Sequence, residues 1–330
     1  MTKNQPLLSI CIPTYNRAKI LDVSLKNLLP QINKYIEYIE LIISDNASFD
    51  NTHEIILKNL SEYQNINVIL LRQDNNIEFY GNSKKCRELS SGKYFWLLSD
   101  NEHILPYAIE FIITELKKND RVGVFFLRNE KDTHPYVVKD ENVDSFFSND
   151  IKSYLITLIS AVILKNNKKV DEEIYKNYKN NAFIGFLFLG TALLEYNNIR
   201  IIEGKIFYTY NTYVSFSIFS VWTIAINECL DFLVSQKLIS NKSRNSFTNS
   251  FLINLSFYQI FEYLIKGKIF DKKFEKPNEI LKLFDKFYFN NPSYLKNIRP
   301  LFFKSKFYLF AEYYMQKFIN KLKRTLSLMF

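Results

Sequence analysis

A chain of 330 residues that is 47% apolar can bury a large α/β core with room for an appendage. Its net charge of +9 comes with no nucleic-acid-binding motif, so the excess does not point to DNA or RNA. Cys11, Cys86 and Cys229 are odd in number and far apart, which argues against a disulfide framework or a zinc site and fits a reducing cytoplasm.

Leu8–Pro13 is short, apolar and closed by proline, the pattern of a buried strand. Ala18–Leu29 has helical spacing through Leu21, Leu25 and Leu28, and Pro30 is expected to stop it. Strand, helix and strand follow at Ile39–Ile43, after Asp50-Asn51, and at Asn67–Leu71. Tyr80–Leu89 reads as a helix, Lys93–Leu98 as a strand, and Pro106 as the first position of another helix. Val122–Leu127 is a fifth strand; 128–150 is polar, aperiodic and expected to be loop. Leu155–Leu164 reads as strand, Ala182–Glu195 as helix and Ile206–Tyr208 as a late strand, with helices throughout from about Ile218. Alternation near every 30 residues predicts a mostly parallel, Rossmann-like sheet flanked by helices. We expect a catalytic domain over 1–215 and a helical C-terminal region over 216–330.

No apolar signal stands in Met1–Gln5. The longest charge-free apolar run, Ala182 to Leu194, has about 13 residues against the about 20 that span a bilayer. A cytoplasmic protein is expected on both counts.

Three strand ends carry polar clusters: Pro13-Thr14-Tyr15-Asn16-Arg17, Ser44-Asp45-Asn46-Ala47-Ser48-Phe49-Asp50 and Ser99-Asp100-Asn101-Glu102. Ends of parallel strands share one edge, so the clusters should converge into a nucleotide pocket. Tyr15 offers a face to a base and Asp45 an acceptor for a base N–H. Asp100 and Glu102 stand two apart, so their carboxylates can share a hard cation, Mg²⁺ or Mn²⁺, that also takes diphosphate oxygens. The plainer readings are that Tyr15 is core, that Asp45 and Asp50 are turn and cap residues, and that Asp100 and Glu102 form a solvated turn. His53, His103 and His134 make no ligand pattern.

The stretches Leu7–Arg17, Glu40–Thr52 and Gly81–Glu102, in this order, resemble glycosyltransferase family 2, and within it bacterial surface-glycan transferases of the abequosyltransferase kind. The resemblance covers about residues 7 to 210. It implies the GT-A fold and an enzyme that transfers a sugar from a nucleotide-sugar donor to an acceptor hydroxyl, with inversion and with Mn²⁺ or Mg²⁺. It implies a surface polysaccharide as product (O-antigen, lipooligosaccharide or capsule) and a glycan or lipid-linked acceptor. It places Pro13, Thr14, Tyr15 and Arg17 in the nucleotide pocket, Asp45 on the base, and Asn82 and Lys85 near the donor. Asp100 would face ribose and metal, and Glu102 would be the metal ligand. The family's D-x-D motif ends here in Glu. The stretch Ala182–Leu187, where relatives often carry an acidic base, has no carboxylate. The alternative is therefore a non-catalytic or partner-dependent nucleotide-sugar-binding protein. A nicotinamide oxidoreductase is disfavoured because Pro13–Arg17 has no glycine.

From Lys296 to Phe330 eight basic residues face Glu312 alone. Phe303, Phe307, Phe310, Tyr314, Phe318, Leu322 and Leu326 fall on one helical stripe. That stripe either packs on the domain or lies in an anionic membrane surface.

Overall fold

The computed structural model describes residues 5–118, 121–129, 136–149, 155–156, 158–167, 178, 184–209, 219, 221–256, 260, 263–264, 277–305, 308–309, 311 and 314–315. In chain order the first elements are β1 (Leu8–Thr14), α1 (Ala18–Asn33), β2 (Ile39–Asp45), α2 (Thr52–Ser61), β3 (Val68–Arg72), α3 (Glu78–Leu89), β4 (Tyr94–Leu97), β5 (Glu102–Ile104) and α4 (Ala108–Lys118). There follow β6 (Val124–Arg128), β7 (Val137–Asn142), α5 (Val143–Asn149), β8 (Val162–Lys165), α6 (Ile184–Glu195), β9 (Asn198–Glu203) and β10 (Phe207–Thr209). The C-terminal region contributes α7 (Ile226–Ser235), α8 (Asn241–Phe251) and α9 (Pro277–Tyr288).

Eight strands form one sheet in the order β3-β2-β1-β4-β8-β6-β9-β7. Six of them run in one direction, and β7 and β8 run against these. The chain is thus a mixed α/β protein with a mostly parallel sheet flanked by helices. The period-2 alternation of buried strand residues divides the core in two. Leu8, Ile10, Ile12, Tyr94, Trp96, Phe125 and Leu127 meet the faces of α1 and α4. Cys11, Phe95, Leu97, Val124 and Phe126 point the other way, to α3, α6 and the C-terminal helices. That second core is continuous across the chain. Phe247 of α8 lies 5.2 Å from Phe147 of α5 and 6.0 Å from Phe186 of α6, centroid to centroid.

Four local expectations are corrected. α1 runs through Pro30 to Asn33, because Leu28, Leu29 and Ile32 are all buried on its inner face; that burial outweighs the missing N–H. α4 begins at Ala108, two residues after Pro106, and Tyr107 before it is left-handed at φ 68°. Leu105 precedes Pro106, which disfavours helical backbone there, and its N donates to Ile206 O. Within 128–150 lie β7 and α5 rather than loop. β7 is an edge strand exposed along almost its whole length, so it has no apolar alternation to read. Within the strand expected over Leu155–Leu164, the described residues form β8 from Val162 onward, preceded by a tight helical turn at Ile159–Ala161.

Candidate active site

The clusters converge because β1, β2 and β4 are adjacent, parallel and in register. Thr14 stands opposite Asp45, and Leu98 N donates to Cys11 O just past β4. The loops after β1 and β2 are laced together. Asn16 N donates to Ser48 Oγ at 2.8 Å, and Phe49 N donates to Asn16 Oδ1 at 2.9 Å. Arg17 N donates to Thr52 Oγ1, and Ala18 N donates to Asp50 Oδ2. Asp50 also accepts from Thr52 N, so this carboxylate serves the first residue of both α1 and α2. Asn16 and Ala47 sit in the left-handed region at φ 53° and 60°, the strain of a backbone over-determined by these bonds.

Asp45 is fully buried. Its Oδ1 accepts from Ser48 N at 3.0 Å. Its Oδ2 lies 3.6 Å from His53 Nδ1 and 3.7 Å from Arg72 Nε, and accepts no hydrogen bond among the described residues. Tyr15, about a third exposed, meets Phe49 edge-on at 6.2 Å, and Phe49 itself is 84% exposed. Pro13 is buried within β1.

Thr14 Oγ1 donates to Asp100 Oδ2 at 2.8 Å, joining the first cluster to the third. Burial raises the Asp100 carboxyl above its usual range, opposed by the Thr14 bond and the Arg17 charge. Burial likewise pushes Glu102 up to about 7, opposed by hydrogen bonds from Thr209 and Ser160 and reinforced by the charge of Asp100. Glu102 belongs to a second, two-stranded sheet in which it pairs with Thr209, and Thr209 Oγ1 donates to Glu102 Oε2 at 2.7 Å.

These two buried carboxylates are an oxygen-only donor set with mutual repulsion, offset in part by Arg17 and Lys205. That suits a hard divalent cation with open positions for phosphate oxygens. Among the described residues no group of three or more His, Cys, Asp or Glu gathers at one point.

Asn82 and Lys85 both sit on α3, and Asn82 reaches the end of β2 beside Asp45. Asn82 is buried with its side chain spent on β2: Oδ1 accepts from Ser44 Oγ, and Nδ2 donates to Ser44 O. Lys85 is half-exposed and pairs with Glu88 at 3.1 Å. α6 bears no carboxylate before Glu195, its last residue, and 182–183 lie outside the described residues.

Sequence reasoning missed His53, Arg72, Ser160 and Thr209. The register of β5 with β10 has no local sequence signal, and Ser160 is a single polar residue beside an apolar run.

Residues 9–177 match the family model described as "Glycosyl transferase family 2". Abequosyltransferase RfbV of Salmonella typhimurium is 31% identical over 169 residues, 51% of this chain and 46% of its own length. The GalNAc(5)-diNAcBac-PP-undecaprenol beta-1,3-glucosyltransferase of Campylobacter jejuni is 24% identical over 188 residues, 52% of this chain and 57% of its own. The chain thus spans about half the length of these curated relatives. Among solved structures, residues 1–349 of S. aureus TarS in complex with UDP superpose with a TM-score of 0.57 at 17% identity, covering 92% of this chain and 87% of TarS 1–349. The mannosyltransferase PcManGT from Pyrobaculum calidifontis, in complex with GDP-Man and Mn²⁺, gives 0.51 at 10% identity, covering 93% and 86%. At these identities the two structures establish the fold.

Proposed function

The chain belongs to glycosyl transferase family 2, and from that premise we propose that it transfers a sugar from a nucleotide-sugar donor to an acceptor hydroxyl during assembly of a bacterial surface polysaccharide. The observation that carries the reading is the one sheet edge on which buried Asp45, Thr14 and Asp100 meet, with buried Glu102 close enough to Asp100 to feel its charge. Asp45, with an oxygen that accepts no hydrogen bond among the described residues, would take a base N–H, and Tyr15 would supply an aromatic face. Pro13, Thr14 and Arg17 would line the nucleotide, Asp100 would also meet the ribose, and Lys85 could reach the donor only by leaving Glu88. Asn82 would act through β2, holding Ser44 beside Asp45.

Asp100 and Glu102 would hold Mn²⁺ or Mg²⁺, and such a cation would supply positive charge to offset that of the departing nucleoside diphosphate. The acceptor oxygen would bond to the anomeric carbon on the face opposite the breaking C–O bond, inverting that centre and passing its proton to a base. The base has no assigned residue.

The catalytic work would lie in 1–215, with 216–330 as a helical buttress. The acceptor would be a glycan or a lipid-linked glycan met by a cytoplasmic enzyme at an anionic membrane face. Among the described residues no helix is long and apolar enough to cross a membrane. A peripheral contact is supported instead by exposed Phe289, Leu295, Phe303 and Tyr308 beside Arg299 and Lys304. The rest of the sequence stripe from Phe303 to Leu326 lies mostly outside the described residues.

The test is donor turnover. The full chain is incubated with UDP-, CDP-, GDP- and dTDP-sugars and Mn²⁺, and release of nucleoside diphosphate is followed. Release from one nucleotide class, lost in Asp100→Ala, is expected. Binding without turnover, with or without a glycan acceptor, would favour a non-catalytic binding protein.

A further inference from the structure

Glu102 stands where a cation ligand is needed, but a glutamate carries about 1.5–2 kcal/mol of side-chain rotamer entropy and does not hold a fixed place unaided. Two hydroxyls reach its carboxylate from distant parts of the chain. Thr209 donates to Oε2 at 2.7 Å from the facing strand of the two-stranded sheet, and threonine is stiff at χ1. Ser160 reaches it from the turn before β8. Ser160 is itself fixed: its carbonyl accepts from Trp96 Nε1 at 2.9 Å, and its Oγ accepts from Ser99 N at 3.0 Å. With that amide as donor to its oxygen, the Ser160 proton is free to point at the carboxylate. Both donors are neutral. They orient Glu102 without cancelling the charge a cation would need, as a lysine or arginine in the same place would.

We propose that Ser160 and Thr209 are positioning residues that hold the Glu102 carboxylate where it can share a divalent cation with Asp100. The inference rests on the metal-holding part of the function proposed above. It explains how Glu, one methylene longer than Asp, serves at this position: the carboxylate is placed by the two hydroxyls rather than by the length of its own side chain. It also gives β10 a purpose in the chemistry, since its pairing with β5 carries Thr209 to Glu102.

A merely structural role is the competing account, because a buried carboxylate needs donors whatever it does. The two roles separate in the cation dependence of nucleotide binding. UDP, CDP, GDP and dTDP are titrated calorimetrically into the full chain with and without MnCl₂, and the nucleotide that binds is carried forward. Removing a group that orients a metal ligand typically costs 10–100-fold in metal affinity. Thr209→Val and Ser160→Ala should each cut the Mn²⁺-dependent gain in affinity about tenfold or more. Cation-free binding and the thermal unfolding midpoint should change little in Thr209→Val, which keeps the shape of the side chain. Thr209→Ser restores a hydroxyl and should recover most of the gain. If both variants keep the wild-type gain, the positioning roles are wrong while the metal reading stands. If wild type itself shows no gain with any of the four nucleotides, the metal reading fails and this inference falls with it.

Discussion

Glu102 keeps its proton to about pH 7 in the folded chain, whereas a free glutamate gives it up near 4.5. A carboxyl raised in this way favours folding below its unfolded value, and that contribution is lost as pH rises through the folded value. The cation-free protein should therefore lose stability between about pH 4.5 and 7, by about 3 kcal/mol at most from this group. Glu102→Gln should flatten that limb in urea titrations taken at half-unit steps of pH. An equally steep fall in the variant would show that Glu102 is not its source.

At this scale the sequence marks polar or aromatic residues that directly end or follow a buried strand, and Tyr15, Asp45, Asp100 and Glu102 stand out as candidates on that ground. Their partners do not. Ser160 and Thr209 are ordinary polar residues until a sheet and a turn bring them to Glu102. Asn82 shows the converse, with an amide that serves Ser44 from inside a helix.

Among elements, legibility followed burial. β1 and β2 are buried at every position and read as strands from their apolar residues, even with Ser9 and Glu40 among them. β9 buries Ile199, Ile201 and Ile202 and is separated from the end of α6 by two residues. β7 has no inward face to betray it. α5 is short and matters through Asp144, whose carboxylate accepts from Ser240 N at 2.6 Å and Ser243 Oγ at 2.5 Å at the start of α8. Burial pushes the Asp144 carboxyl up, but the bonds from Ser243 and Ser240 outweigh it and leave it below its ordinary value of 3.8. Asp144→Ala should cost about 1–2 kcal/mol at pH 7, the net worth of such bonds. A depressed carboxyl contributes above its unfolded value and stops contributing as pH falls through the folded one. The gap between wild type and variant should therefore close below about pH 3.8. A gap that persists undiminished at pH 2.5 would mean that packing, not charge, holds α5 to α8.

For the whole molecule, the continuous core on one face of the sheet ties the C-terminal helices to the α/β unit through Phe147, Phe186, Phe247 and Phe284. Arg299 is flanked by the rings of Phe289 and Phe303 at 5.6 and 5.3 Å, and Lys304 lies 4.5 Å from Tyr308. The cleft there, lined by Leu295, Arg299, Pro300, Phe303 and Lys304, has a volume of about 340 Å³. Arg299 is already paired with Asp285 at 2.9 Å, so the rings carry most of the contact: burying a phenylalanine yields about 1.5–3 kcal/mol, and a cation such as Lys304 near an anionic leaflet adds about 1 kcal/mol. The full chain should therefore co-sediment with phosphatidylglycerol vesicles at low salt and release at high salt. The double variant Phe289→Ser, Phe303→Ser should stay largely in the supernatant. Equal sedimentation of the two proteins, or none by either, would remove the membrane contact from the account.

The claim on which the rest depends is that the edge formed by β1, β2 and β4 is a nucleotide site. Native mass spectrometry of the full chain with UDP, CDP, GDP and dTDP in the presence of Mn²⁺ tests it most directly, alongside Asp45→Ala and Asp100→Ala variants checked by circular dichroism. The account predicts one nucleoside diphosphate bound one to one, weakened about tenfold or more by either substitution with the fold unchanged. Binding of none of the four, or binding that both variants retain in full, would contradict it.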